Sequence, residues 1–412
     1  MKIKSIKKNI LKEPKKFYDI TVDKYHNFVI NKNSMIVTHN SSLENAIITM
    51  AQSFKNNSPL LEEDGQFGSI RSPQAGAPRY IGTKLSSNFR LIYKDFDLLR
   101  YKEEEGESIE PHYFLPIIPT ILVNGSSGIA VGFSSNILNR NTTEVVDACI
   151  KVLGGKRIKN IKPLLNNFKG EYIQDEDNIK KWYIRGIFEK INTTTVHITE
   201  LPPSMTYEKY EEHLEKLIDN KDIISYDDNS KDSIDYKIKF KRSDLSKLSQ
   251  KALIKLLKLE ESVTELYTTL DEFGKLKIFE STSDIIKYFI NFRINYYIKR
   301  KKFSLDKMDK ELKILSNKAI FIKAILDNKL KINNSKKEDI IKGINKLKID
   351  KIDGTYDYLL RMPIYSLTKE LFDKLKSDFI IKKSEIATLK KTKEKDMYLS
   401  DLKYLKKNLT IG

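Results

Sequence analysis

Cysteine is almost absent from this chain of 412 residues: Cys149 stands alone, so no internal disulfide framework and no cysteine-rich zinc site can form, which fits a reducing compartment. Glycine (16) and proline (11) are scarce, too few for a fibrous or low-complexity chain. Long apolar runs are missing as well. The most apolar stretch, 114–123, is broken by prolines and is too short to span a bilayer. The first ten residues are basic but carry no apolar h-region, which excludes a secretory signal of the ordinary kind. A soluble, cytoplasmic protein with no membrane partner is the expectation.

Charge, in contrast, is plentiful. Lys and Arg number 74 against 56 Asp and Glu, a formal net charge of +18, and 40% of the residues are hydrophobic. That apolar share, over this length, supports two to four domains with real cores. A phosphate-rich partner would account for the positive excess, because each neutralised phosphate releases a counterion. A Lys- and Asn-heavy sequence with solvated faces would account for it too, and charge by itself leaves both readings open.

The chain changes character along its length. Residues 1–40 hold nine Lys and three acids and alternate like short strands over 18–22, 26–30 and 35–37, a hairpin-rich module. At Ser41 the pattern switches: Leu43, Ile47, Met50 and Phe54 recur at helical spacing, and Ser41 with Glu44 forms a capping-box pattern. A helix, a GQFG loop at 65–68, a Pro/Gly/Ala loop at 72–78 and a strand over 79–85 follow, an order that suits a winged helix. Residues 150–255 mix strands at 194–198 and 236–240 with a helix at 207–218 and read as α/β. Farther on, Leu305, Met308, Leu312, Leu315, Ala319 and Ile322 keep a 3-4 spacing. Leu375, Phe379, Ile386 and Leu389 make a second seam interrupted by Lys382, with a compact insert at 330–370 between the two. This predicts an antiparallel coiled coil with a small domain at its tip.

Two places carry chemistry. At His39-Asn40-Ser41 an Asn carboxamide can attack its own backbone carbonyl and cleave the chain, a His can supply the proton transfers, and the next hydroxyl can accept an acyl group. At Arg79-Tyr80 a phenol stands beside a guanidinium. A phenol ionises near pH of about 10, so it attacks a phosphodiester only when its proton is taken and the phosphate charge is offset. Arg79 could offer that offset through its planar donors, although neighbouring residues of a strand point to opposite faces, so the backbone there must bend.

FYDITVDKYHNF at 17–28 followed by VTHN at 37–40 resembles the C-terminal blocks of inteins, and specifically a split-intein C-terminal fragment. The resemblance implies protein splicing in trans with a separately encoded partner, His26 and His39 assisting, Asn40 cyclising and Ser41 as acceptor. From Ser42 onward, SLENAIITMAQ (42–52), GQFG (65–68), APRYI (77–81), NGSSGIAVG (124–132), FKG (168–170), YYIKRK (296–301), LSNKAIF (315–321) and LKKT (389–392) resemble, in order, the breakage-reunion region of type IIA DNA topoisomerases. The mixture is nearest the phage medium-subunit branch, with gyrase A-like features.

That resemblance implies an α+β multidomain fold: a small all-β intein fragment (1–40), a winged-helix DNA cleavage domain (41–149), an α/β tower (150–255), and a coiled coil with a C-terminal dimer gate (256–412). It implies Tyr80 as the DNA nucleophile, Arg79 as phosphate clamp, Lys84 and Arg71 as DNA contacts, and Ile137 as the residue that wedges between base pairs, with Leu138 where a proline often follows. It further implies strand passage through a transient double-strand break in a homodimer. Mg²⁺ and ATP would be held by TOPRIM and ATPase partner subunits, with no metal site in this chain, in a bacterial or phage-infected cell near the nucleoid. The family's leading helical segment, with an active-site arginine, would precede Ser41 and is expected from the splicing partner. A non-catalytic DNA-binding or dimerisation remnant is the alternative, and a tyrosine recombinase is disfavoured because the Arg/His set that should precede its tyrosine is missing.

Overall fold

The computed structural model describes residues 27–29 and 37–409, apart from 71, 105, 131, 232, 353, 364 and 366; for 27–29 and 37–42 only the backbone is described. The chain divides into two compact units, one of Met1–Asn291 with Asp401–Gly412 and one of Phe292–Ser400.

In the first unit, strands Asn27–Val29 and Val37–His39 pair antiparallel, with Asn27 opposite His39. The helix Asn40–Ala51 follows without a break, so the expected switch from strand to helix falls between His39 and Asn40. Strand Leu61–Asp64 then pairs with Gly82–Leu85. The strand expected over 79–85 is shorter than its pattern suggested. Pro78 fixes the backbone for a turn, and Pro78–Tyr80 forms a single 3₁₀ turn closed by the Tyr80 amide donating to Ala77 O at 2.9 Å. Ser86 then caps the helix Ser87–Ile92, accepting from the Phe89 amide at 3.0 Å.

Two further hairpins project from this region, Tyr101–Glu104 with Glu107–Pro111 and Ser126–Ala130 with Phe133–Ile137. Ile117, Ile118 and Leu122 are fully buried, as are Val145, Val146 and Cys149 of the helix Thr142–Leu153, which packs on the short helix Thr120–Val123. That helix begins where Asn141 accepts from the Glu144 amide at 3.1 Å.

Residues 150–255 were expected to be α/β, yet every strand pair there is antiparallel. Glu171–Gln174, Lys181–Arg185 and Glu260–Thr264 form one sheet, with Lys181–Arg185 central. Phe188–Lys190, Thr195–Ile198, Tyr236–Lys239 and Ser225–Asp228 form a second, in that spatial order. The link from Asp228 to Tyr236 is too short for the crossover that parallel pairing needs, so hairpin connections impose the antiparallel form. Tyr210, Leu214 and Leu217 of the helix Tyr207–Asp219 bury their apolar stripe against this second sheet. The boundary expected at 255 falls within this core: Leu257 and Leu259 belong to it, and Glu260–Thr264 pairs back onto Lys181–Arg185.

The second unit is an antiparallel helix pair with a small terminal core. From Phe292 on, the helix Thr282–Leu326 runs against Lys369–Lys391 and the start of Glu394–Asn408. Its direction is set by contacts at rising and falling numbers. Tyr297 stacks on Tyr398 at 4.4 Å, Lys301 donates to Thr392 O at 2.8 Å, and Glu311 meets Lys382 at 3.2 Å. Lys382, which interrupts the apolar seam, also pairs with Glu385 at 3.1 Å, and these two carboxylates raise its pKa. Past the pair, Phe321, Leu330, Ile344, Ile349, Tyr356 and Leu359 close a separate cluster formed with the 330–370 insert.

Candidate functional site

Tyr80 owes its setting to a buried amide. Gln52, at the end of the first long helix and 1% exposed, donates through Nε2 to Phe67 O at 2.8 Å and Pro73 O at 3.2 Å. This clamp holds the loop between Leu61–Asp64 and Pro78–Tyr80, and Phe67, 2% exposed, plugs it into the core. The loop tightens further where Gly76 N donates to Gln66 O at 2.8 Å. Gly65 has φ +99° and its missing Cβ would lie 3.0 Å from Tyr80 O, so only glycine lets the loop pass this close beneath the tyrosine.

On that platform Tyr80 is 76% exposed, its phenol open to solvent. The 3₁₀ turn resolves the geometric conflict noted for a strand: the Arg79 guanidinium carbon lies 5.3 Å from the Tyr80 ring centroid, over its face. An anion arriving from solvent can therefore meet the phenol and the guanidinium together. Lys84, one strand away, pairs with Glu62 at 3.0 Å while staying largely exposed, and it holds the Glu62 carboxyl below the usual carboxylate range. Arg71 lies outside the described residues, as does His26. His39, Asn40 and Ser41 occupy the joint between strand and helix as backbone, their side chains outside the described set.

Ile137, the residue the resemblance implies as the wedge, is 2% exposed at the root of the hairpin Ser126–Ala130/Phe133–Ile137, opposite Ser126, where the strand enters the core. Ile129 lies near the tip of the same hairpin and is 95% exposed. The root is fixed by Gly125, at φ +70°, whose missing Cβ would meet Ile137 O at 2.6 Å. Asn124 holds it from the other side, exchanging bonds with Ser58 O at 2.8 Å and Ser58 N at 2.9 Å.

Among the described residues no three His, Cys, Asp or Glu side chains converge as a metal-binding set. No described helix is long and apolar enough to cross a membrane.

A mixed α+β fold thus presents a solvent-open tyrosine under a guanidinium, with a hairpin of exposed apolar tip nearby in sequence. The family of the DNA gyrase/topoisomerase IV A subunit matches residues 38–407, and the chain belongs to that family. It is 37% identical over 408 residues to DNA topoisomerase 2 of Plasmodium falciparum, covering 88% of this chain but 29% of that protein. It is 31% identical over 371 residues to the DNA topoisomerase medium subunit of Enterobacteria phage T4, covering 89% of this chain and 83% of that one. Among solved structures it superposes with a TM-score of 0.83 and 34% identity on the Plasmodium falciparum topoisomerase II DNA-binding, cleavage and re-ligation domain, covering 92% of this chain and 56% of that chain. The chain thus spans less than a third of the Plasmodium falciparum enzyme and most of the length of the phage protein.

Proposed function

We propose that this chain is the DNA-cleaving and DNA-rejoining part of a type II topoisomerase, with Tyr80 as its nucleophile. The observation that carries the reading is the solvent-open Tyr80 phenol with the Arg79 guanidinium over its ring, in a chain matched to the family across residues 38–407. In the reaction the tyrosyl oxygen forms a bond to a backbone phosphorus as a phosphoester bond of the DNA breaks. The electron pair leaves with the DNA oxygen, which takes a proton. The phosphotyrosyl ester keeps the energy of the broken bond, so the same DNA hydroxyl can reverse the step. Arg79 offsets the phosphate charge as it builds, and exposed Lys84 adds long-range attraction.

Ile137 serves as the wedge, leaving its buried place at the hairpin root when DNA binds. Inserting an apolar side chain at a base step costs a few kcal/mol of unstacking, roughly offset by the extra protein surface that the bent duplex covers. Two copies of the chain, joined through the dimer gate of residues 256–412, supply two tyrosines for two strands. Mg²⁺ and ATP would be held by TOPRIM and ATPase partner subunits.

The reading extends to a precursor in which residues 1–40 are a split-intein fragment, His26 and His39 assist, Asn40 cyclises and Ser41 accepts. It is supported by the hairpin ending at His39, by the abrupt start of the helix at Asn40, and by a family match that begins only at residue 38. Mixing the chain with a partner carrying an intein N-fragment should release residues 1–40 and yield a longer product. Unchanged masses would remove this part while leaving the cleavage reading intact.

The cleavage reading is tested by covalent trapping. The complete complex with Mg²⁺ should retain DNA on the protein after denaturation, and Tyr80→Phe should not. DNA binding without trapping by either protein would point to the non-catalytic remnant.

A further inference from the structure

A small recess lies where the turn after Gln52 meets the start of the helix Thr142–Leu153. Its walls are amides and hydroxyls, from Asn57, Ser58, Asn88, Thr142, Thr143 and Asn166, with Leu409 on one side and no charged side chain among the described residues. There is room for about one water-sized occupant.

Donors here outnumber acceptors. Asn57 is fully engaged: its Nδ2 donates to Arg140 O at 2.8 Å and to Leu164 O at 2.6 Å, and its Oδ1 accepts from the Asn166 amide at 2.8 Å. Asn141 Oδ1 takes the Glu144 amide, the third of the helix, at 3.1 Å. That leaves the first two amides, of Thr142 and Thr143, with no acceptor among the described residues, as the geometry of a helix start dictates. Ser58 adds a third donor. Asn124 holds its backbone from both N and O, and the residue is 1% exposed, yet its buried hydroxyl has no hydrogen-bond partner among the described residues. A buried polar atom without a partner costs free energy, so native chains supply one.

The donor excess selects the partner. A water brings two hydrogens of its own that need acceptors, and the amide oxygens of Asn57 and Asn141 are already engaged. A cation meets N–H groups and the positive end of a 12-residue helix, which repel it. A small anion accepts from all three donors and gains from the same helix end. Glu144, in the first turn, is exposed and does not line the recess. We propose that this recess binds one chloride ion, held by Ser58 Oγ and the Thr142 and Thr143 amides. The ion joins three elements of the unit that carries Tyr80: the turn after Gln52, the helix Ser87–Ile92 through Asn88, and the helix Thr142–Leu153.

The test is thermal unfolding of the full chain at constant ionic strength as potassium glutamate, whose anion is too large for the recess, is exchanged for potassium chloride. The midpoint should rise with the logarithm of chloride once the site fills, because the folded chain binds and the unfolded chain does not. Two variants localise the effect. Ser58→Ala removes one donor together with the unpaired buried oxygen. Thr142→Pro removes another at the first helical position, where a fixed φ suits the helix and the extended Asn141 (φ −58°, ψ 125°) accommodates a following proline. Each should weaken the apparent chloride affinity about tenfold or more. Bromide soaked into crystals of the parent should give an anomalous peak in the recess that Ser58→Ala lacks. A midpoint indifferent to the choice of anion, which is the result for a recess holding water alone, overturns the proposal. So does a chloride response that either variant keeps in full, or bromide found only elsewhere.

Discussion

The tyrosine turn and the wedge hairpin both offer exposed side chains to a partner, yet they are supported in opposite ways. Tyr80 rests on neutral hydrogen bonds from one buried glutamine and on a loop whose closeness depends on Gly65. The hairpin below Ile129 is rooted in a buried charge pair, Arg140 with Glu265, with every acceptor used. One support is neutral and depends on how closely a loop can pass; the other is charged and depends on side-chain pairing.

The sharpest way to break this comparison is to remove the phenol. Tyr80→Phe should abolish covalent trapping while leaving DNA binding unchanged, read by denaturing gel and by a binding titration on the same preparation. Ile129→Ala should leave stability within about 0.5 kcal/mol by denaturant titration, because the site is 95% exposed. Ile137→Ala, eight positions along on the same hairpin, should cost about 2–5 kcal/mol of stability by denaturant titration because it opens a cavity at a 2% exposed site. Equal stability of the two alanine variants would erase the distinction between tip and root. Gln52→Leu should cost about 1–3 kcal/mol by leaving Phe67 O and Pro73 O without their donor, and should lower trapping with Tyr80 intact. The smallest effect concerns Cys149. Burial pushes its thiol well up, so a thiol reagent should label it only as fast as the chain unfolds.

The setting of the tyrosine follows from local residues: Pro78 starts the turn, Gly65 lets the loop pass and Arg79 covers the ring. The helix seams and the insert of the second unit were legible for a similar reason, since apolar spacing reports directly on a buried face. The expected wedge, Ile137, lies at the buried root of its hairpin. Both isoleucines lie on one strand pair, and alternation alone does not tell which end of a hairpin is free. The Arg140–Glu265 pair was invisible because its partners are 125 positions apart and neither stands in a motif. The limit at 255 failed on the same ground: Glu260–Thr264 belongs to a sheet whose other strands come almost eighty residues earlier, and nothing local announces that pairing. Where strand pairing is long-range, composition along the chain is a weak guide to where a domain stops.

The most direct test of the central claim is to digest the denatured protein–DNA adduct with protease and nuclease and locate the attached nucleotide by tandem mass spectrometry. The account predicts a nucleotide phosphate esterified to the Tyr80 phenol and to no other residue. An adduct on any of the other tyrosines, or on a serine, would contradict it.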